Sequence, residues 1–190
     1  APLAGTVFGV EYFRNKTEIG FKHLFHCLLA SITGHAMALI LGTPHTVWPN
    51  VGKMAFGSNV FLAVLVGGVC FGLSALVFKK LTRGIEYLFI QRITNPVLRP
   101  LVGGIFLSAL FFWEGSFRFC GLGGSSIQNA FQGSMEIDYP LYKLVLTSLT
   151  LGAGFKGGEF IPLVFVGATL GSFLSVAFSL SPAFLAAMGF

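Results

Sequence analysis

The residues best suited to chemistry in this chain are a glutamate and a lysine set in a glycine-rich break between two apolar runs, Gly152-Ala153-Gly154-Phe155-Lys156-Gly157-Gly158-Glu159-Phe160-Ile161-Pro162. Pro162 belongs in a first helical turn, where its missing N–H costs nothing, so a helix opens here and continues to about Leu180. The amides from Gly158 to Ile161 then stand ahead of the helical ladder, at the positive end of the helix dipole, where an anion is favoured. Gly157 and Gly158 allow the backbone to approach such an anion closely. Glu159 has apolar neighbours on both sides, save for Lys156. At the centre of a bilayer an acid costs about 2.5–3.5 kcal/mol on insertion scales, and a helix N-terminus returns about 0.3–2 kcal/mol of that. The remainder favours a carboxyl that takes up a proton or meets a cation. The plainer alternative is a helix cap or an ion pair with Lys156.

Other titratable residues carry weaker patterns. His23, His26 and His35 fall in one apolar segment, and an intramembrane metal centre would need a further ligand with matching geometry. Packing and hydrogen bonding explain them more simply. Cys27, Cys70 and Cys120 form no motif, and an odd count without close spacing argues against a disulfide framework or a zinc site. Glu11, beside Tyr12 and Phe13, lies at the edge of an apolar run, as a solvated helix end or a point of proton access. There is no Ser/His/Asp set and no phosphate loop, so no cofactor is implied.

The elements that hold these residues are those of a polytopic membrane protein. Of 190 residues 54% are hydrophobic and 10% charged, against about 25% charged in soluble domains. Leu24–Gly42, Asn59–Phe78, Leu101–Trp113, Leu144–Phe155 and Phe160–Leu180 contain no Asp, Glu, Lys or Arg. Three of these reach the roughly 20 residues that cross a bilayer. Five of the twelve basic residues, Lys79, Lys80, Arg83, Arg92 and Arg99, share one region with a single acid, Glu86, and the positive-inside rule places it in the cytoplasm. The net charge of +5 therefore does not indicate nucleic acid.

The organisation follows in order. A helix tail over Thr6–Phe13 leaves the membrane at Glu11. A first span, Phe21–Leu41, is ended by Gly42-Thr43-Pro44-His45, and Pro49-Asn50 turns an outer loop holding Lys53. Asn59–Phe78 is a second span. Lys79–Asn95 has the spacing of an amphipathic helix lying on the cytoplasmic surface. Leu101–Trp113 is short, with Trp113 as an interfacial anchor. Glu114–Tyr142 reads as a flexible or re-entrant outer segment. Leu144–Phe155 descends to the break at Lys156–Gly158, and short, glycine-interrupted segments of this kind point to transport sites. Both ends of the sequence lie within apolar patterns, which suggests an internal piece of a longer protein.

Two anchors then resemble the CLC family of chloride channels and anion/proton antiporters. Gly158-Glu159-Phe160-Ile161-Pro162 is similar to its Gly-x-Phe-x-Pro signature, and Ala1-Pro2-Leu3-Ala4-Gly5 with Phe8 and Glu11 resembles its Ala-Pro-Leu/Ile-Ala-Gly helix. The resemblance covers the whole chain as one transmembrane domain, residues 1–190. It implies an all-α fold with broken helices, about half of an inverted-repeat subunit, embedded in the lipid bilayer and paired as a homodimer. It implies transport of a halide, chloride or fluoride, by halide/proton antiport, or else a passive voltage-gated channel. Gly157, Gly158, Glu159, Phe160 and Ile161 would line the anion site, with the Glu159 and Phe160 amides as donors. Glu159 would couple protons, since Gly-Gly-Glu-x-x-Pro is similar to the fluoride/proton antiporter branch. Ile161 stands where that branch has Thr, and Phe160 keeps the chloride-type residue. Tyr12 matches the internal proton glutamate of the chloride antiporters, with Glu11 one residue earlier as its substitute. The gating acid of the family would precede Ala1, and its tyrosine-bearing segment would follow Phe190.

Overall fold

The computed structural model describes residues 2–13, 21–43, 49–52 and 57–190. The expectations placed on residues 14–20, on Pro44 and His45, and on Lys53 lie outside the described residues. Among the described residues the secondary structure is all helical, and it falls into two compact units, Ala1–Val47 and Trp48–Phe190.

The first unit pairs α1 (Pro2–Phe13) with α2 (Phe21–Ile40). Small residues allow the contact: a Cβ on Gly5 would collide with the Ser31 side chain, and one on Gly9 would stand 3.1 Å from Cys27 Sγ. Gly5 opposite Ser31 and Gly9 opposite Cys27 make the two helices antiparallel, in the small-xxx-small manner of membrane helices. Thr6 Oγ1 donates back to the Pro2 carbonyl at 2.9 Å, so its hydroxyl is satisfied without water. α2 ends as its sequence predicts, with Gly42 at φ +63°, Gly42 N–H donating to Leu39 O and Thr43 N–H to Ala38 O. No residue of α2 is buried within the chain, although its side chains are largely apolar. Such a face belongs against lipid or further protein.

In the second unit, Asn50 Oδ1 accepts from Gly52 N–H at 3.3 Å, which makes the turn that Pro49-Asn50 suggests. The second span and the basic segment are not separate elements. They form one 35-residue helix, α3 (Ser58–Arg92). At 1.5 Å per residue it is about 52 Å long, well beyond a hydrocarbon core of about 30 Å. Nothing between Phe78 and Lys79 can break a helix. Phe78 and Leu81, on either side of that junction, pack into one cluster with Leu144, Val166 and Leu163. Tertiary packing thus carries the helix through what its charge pattern marks as a boundary.

α4 (Leu98–Glu114) takes Pro100 into its first turn and stops at Gly115, φ +69°. The segment expected to be a flexible outer loop contains a further helix, α5 (Gly124–Gln132), which buries Ile127, Ala130 and Phe131 at i, i+3 and i+4. α6 (Asp138–Gly152), α7 (Phe160–Phe178) and α8 (Pro182–Gly189) complete the unit. α7 lies at its centre, with Val164, Phe165, Val166, Ala168 and Thr169 buried. Its hydroxyls turn inward but are all bonded. Thr169 Oγ1 donates to Phe165 O at 2.8 Å, and Ser172 Oγ donates to Gly133 O at 2.6 Å while accepting from Met135 N–H at 3.1 Å.

α7 closes on Ser179, whose φ of +51° is the left-handed region that favours glycine. Leu180 N–H donates to Ser175 O and Ser179 N–H to Val176 O, the pair of bonds that usually carries glycine at this position. Ser179→Gly should therefore stabilise the full-length protein by up to about 1 kcal/mol. A thermal melt in detergent that falls below that of the unaltered protein would contradict this.

Candidate functional site

The break between α6 and α7 is built by its glycines and by two hydrogen bonds. Gly154 N–H donates to Leu151 O at 3.0 Å and Phe155 N–H to Thr150 O at 3.3 Å, with Gly154 at φ +93°. This reverses the chain at once after Gly152 and caps the last carbonyls of α6. The end of α6 is pressed against α3. A Cβ on Gly152 would stand 2.7 Å from the Ile85 side chain and 3.0 Å from the Thr82 carbonyl. Gly158 faces open space.

α7 then starts at Phe160, with Pro162 in its first turn. Its first ladder bond runs from Leu163 N–H to Glu159 O at 3.2 Å, so the amides before it, Ile161 among them, precede the helical bonding. Glu159 occupies the N-cap position with helical φ and ψ, and its carboxylate makes no capping hydrogen bond. Nor does it pair with Lys156: among the described residues the ion pairs are those of Arg118 with Glu114 and Asp138. Glu159 thus stands at the N-cap position with neither a side-chain capping bond nor an ion pair to Lys156. Glu159 and Lys156 are exposed in this chain.

Glu159 opens onto a cleft of about 470 Å³ lined also by Ala75, Phe78, Lys79, Thr82, Arg83, Glu86 and Leu163. Lys79, Thr82, Arg83 and Glu86 recur at i, i+3, i+4 and i+7 and so share one stripe of α3. Thr82 Oγ1 is a buried polar atom without a hydrogen-bond partner among the described residues. These four residues read from sequence as part of a surface helix. Their polar stripe on an otherwise apolar helix is the signal that could have placed them beside Glu159.

Behind the site, Lys143 at the start of α6 is only 4% exposed. It donates to the Phe119 and Gly121 carbonyls at 2.9 and 2.7 Å, and its ammonium lies 5.1 Å from the centre of the Phe165 ring. Phe165 also blocks the space beside Gly123, φ +69°, so the loop before α5, α6 and α7 are locked together. Sequence reading missed this lysine, since a lone cation at the end of a polar stretch looks solvated. A second, mostly apolar cavity of about 310 Å³ contains Glu114, but that carboxylate is already held by Arg118 at 3.0 Å and Ser116 at 3.2 Å. The hydrogen bond to Glu114 raises Arg118 above its ordinary range.

The remaining candidates lie elsewhere. Glu11 is exposed on α1 of the first unit. His26 Nδ1 lies 2.5 Å from the Lys22 carbonyl, one helical turn back. Among the described residues no group of three or more His, Cys, Asp or Glu side chains converges. α2, α3 and α7 are each long and apolar enough to cross a membrane.

Comparison with known proteins places the chain as a whole. The family described as voltage gated chloride channel matches residues 1–190. The "Chloride/fluoride channel protein" of Pseudomonas syringae pv. tomato is 34% identical over 195 residues, which take in all of this chain and 43% of that protein. A solved structure, that of a CLC-type fluoride/proton antiporter, superposes with a TM-score of 0.80 at 31% identity, over 92% of this chain and 44% of its own. The chain thus spans less than half the length of these relatives. Match, superposition and break agree: this is a multi-pass membrane protein chain that belongs to the voltage-gated chloride channel, or CLC, family.

Proposed function

We propose that this chain forms part of a halide/proton antiporter that prefers fluoride to chloride, with Glu159 as the proton-coupling acid. The anion is held by the amides of Glu159 and Phe160 at the head of α7, with Gly157, Gly158 and Ile161 shaping the approach. The observation that carries this reading is an acid at a helix N-terminus that neither caps the helix nor pairs with Lys156, and that opens onto a cleft. Such a carboxyl is free to exchange a proton, and in its neutral form no longer repels an anion at the same dipole. The solved neighbour is a fluoride/proton antiporter, which supports the same choice. Glu11 is a further candidate for proton access, and two subunits pair, each with its own pathway.

The word channel in the Pseudomonas relative's name favours passive flow as the second reading. One assay decides between them. The full-length protein in sealed liposomes, loaded with fluoride or chloride, is followed with a halide electrode and an internal pH dye. Antiport predicts that a halide gradient drives protons against their own gradient, faster with fluoride. Halide efflux with no proton movement would establish the passive reading.

A further inference from the structure

Among the described residues Lys143 is the one charged side chain that is buried, at 4% exposure, and neither antiport nor passive flow gives it a task. An ammonium is costly to bury and Met would fill much the same space, so the charge needs a reason. No acid supplies one. Glu114 and Asp138, the carboxylates at this end of α6, are paired with Arg118 at 3.0 and 3.9 Å. Lys143 Nζ instead donates to Phe119 O at 2.9 Å and to Gly121 O at 2.7 Å, and it faces the Phe165 ring at 5.1 Å. Two carbonyls and a π face thus take up its three N–H groups.

The ring is gripped from other directions as well. Phe119 meets it edge-on with centroids 6.5 Å apart, and a Cβ on Gly123 would stand 2.5 Å from it. This grip bears on the head of α7. Glu159, Phe160 and Ile161 are exposed, and the first buried positions of the helix are Val164 and Phe165. The amides proposed to hold the anion therefore take their position from whatever holds the second turn. Phe165 lies about 7.5 Å along the axis from Phe160. Over so short a length of helix, a rotation or slide at Phe165 is carried to the amides with little loss.

We propose that Lys143 is a positioning residue for halide selectivity: through Phe165 it fixes the depth and rotation of α7, so that the amides at its head stay set for the smaller halide. Fluoride needs donors that converge on a shorter radius than chloride does, and donors free to shift settle on either ion. The inference rests on the anion site proposed above for the α7 amides and on its preference for fluoride, but not on proton coupling.

The test uses full-length protein in liposomes and reads KM for fluoride and for chloride separately, with flux normalised to monodisperse protein. Lys143→Met should lower the fluoride-over-chloride preference, taken as the ratio of the two KM values, by about 3- to 10-fold, chiefly by raising KM for fluoride. Lys143→Arg, which keeps the charge, the donors and the contact with the ring, should restore most of the preference. Phe165→Leu should shift the ratio in the same direction as Lys143→Met, and the double variant should shift it no further than the larger single change. A merely structural lysine would lower the yield of folded protein and the flux of both halides together. An unchanged ratio in monodisperse variants overturns the proposal and leaves the anion site standing, and additive shifts in the double variant overturn it too. Should Lys143→Met fail to fold, Phe165→Leu decides alone, an unchanged ratio again being the contrary result. If the unaltered protein shows no preference for fluoride, the halide assignment fails and this proposal with it. Passive flow that still prefers fluoride removes the antiport reading only.

Discussion

In the full-length protein, Glu159→Gln should reduce proton movement driven by a halide gradient by about 100-fold or more, the scale of losing one positioned proton-transfer group. Gln keeps the shape and the polarity but cannot release or accept a proton. Halide flux is either stopped with it or continues without moving protons; both follow from a coupling role. The variant should fold normally, because Glu159 is exposed and its side chain makes no capping bond that folding would lose. Glu159→Asp, which keeps the titration and shortens the reach, should retain part of the coupling. Unchanged stoichiometry in Glu159→Gln would remove Glu159 from the transport cycle.

A second large effect concerns what holds the head of α7 in place. α7 and α8 pack backbone to backbone, Gly171 against the Leu185 carbonyl and Gly167 against Gly189, and the pairing is antiparallel. A Cβ at Gly171 would collide with main chain, which cannot rotate aside as a side chain can. Gly171→Leu should therefore destabilise the full-length protein by about 3–5 kcal/mol, among the largest effects of overpacking. It should be read as loss of monodisperse protein in detergent and of halide flux together. Gly68→Ala on α3, where a Cβ meets nothing within 4 Å, is the control and should be tolerated. Wild-type melting in Gly171→Leu would mean that α8 does not support α7.

What was legible in the sequence had local causes. The first span was readable as Phe21–Leu41 because glycine ends it, and α2 is Phe21–Ile40. The α6–α7 break was readable because Gly154, Gly157, Gly158 and Pro162 impose it whatever surrounds them. What was illegible depended on packing. The charge at Lys79 looked like the end of a span, but Phe78 and Leu81 continue to find partners and α3 runs on to Arg92. α5 was hidden by Gly121-Leu122-Gly123-Gly124-Ser125-Ser126. A glycine-rich run reads as loop, yet Phe165 fills the space at Gly123 and the helix buries its Ile127, Ala130 and Phe131 face. The residues that share the cleft with Glu159 were invisible because Lys79, Thr82, Arg83 and Glu86 lie more than seventy positions away in sequence and come near it through the docking of α6 and α7 on α3.

The most direct measurement is whether a transported halide and a probe compete at the head of α7. Ile161 lies in the first turn of α7, next to the amides proposed to hold the anion, and Cys27, Cys70 and Cys120 are free thiols that can be replaced by alanine. In full-length protein carrying Ile161→Cys on that background, a small charged thiol reagent should stop halide flux, and fluoride should slow the modification in proportion to its occupancy. Modification that proceeds at the same rate with and without halide, and leaves flux intact, would take the N-terminus of α7 out of the ion pathway.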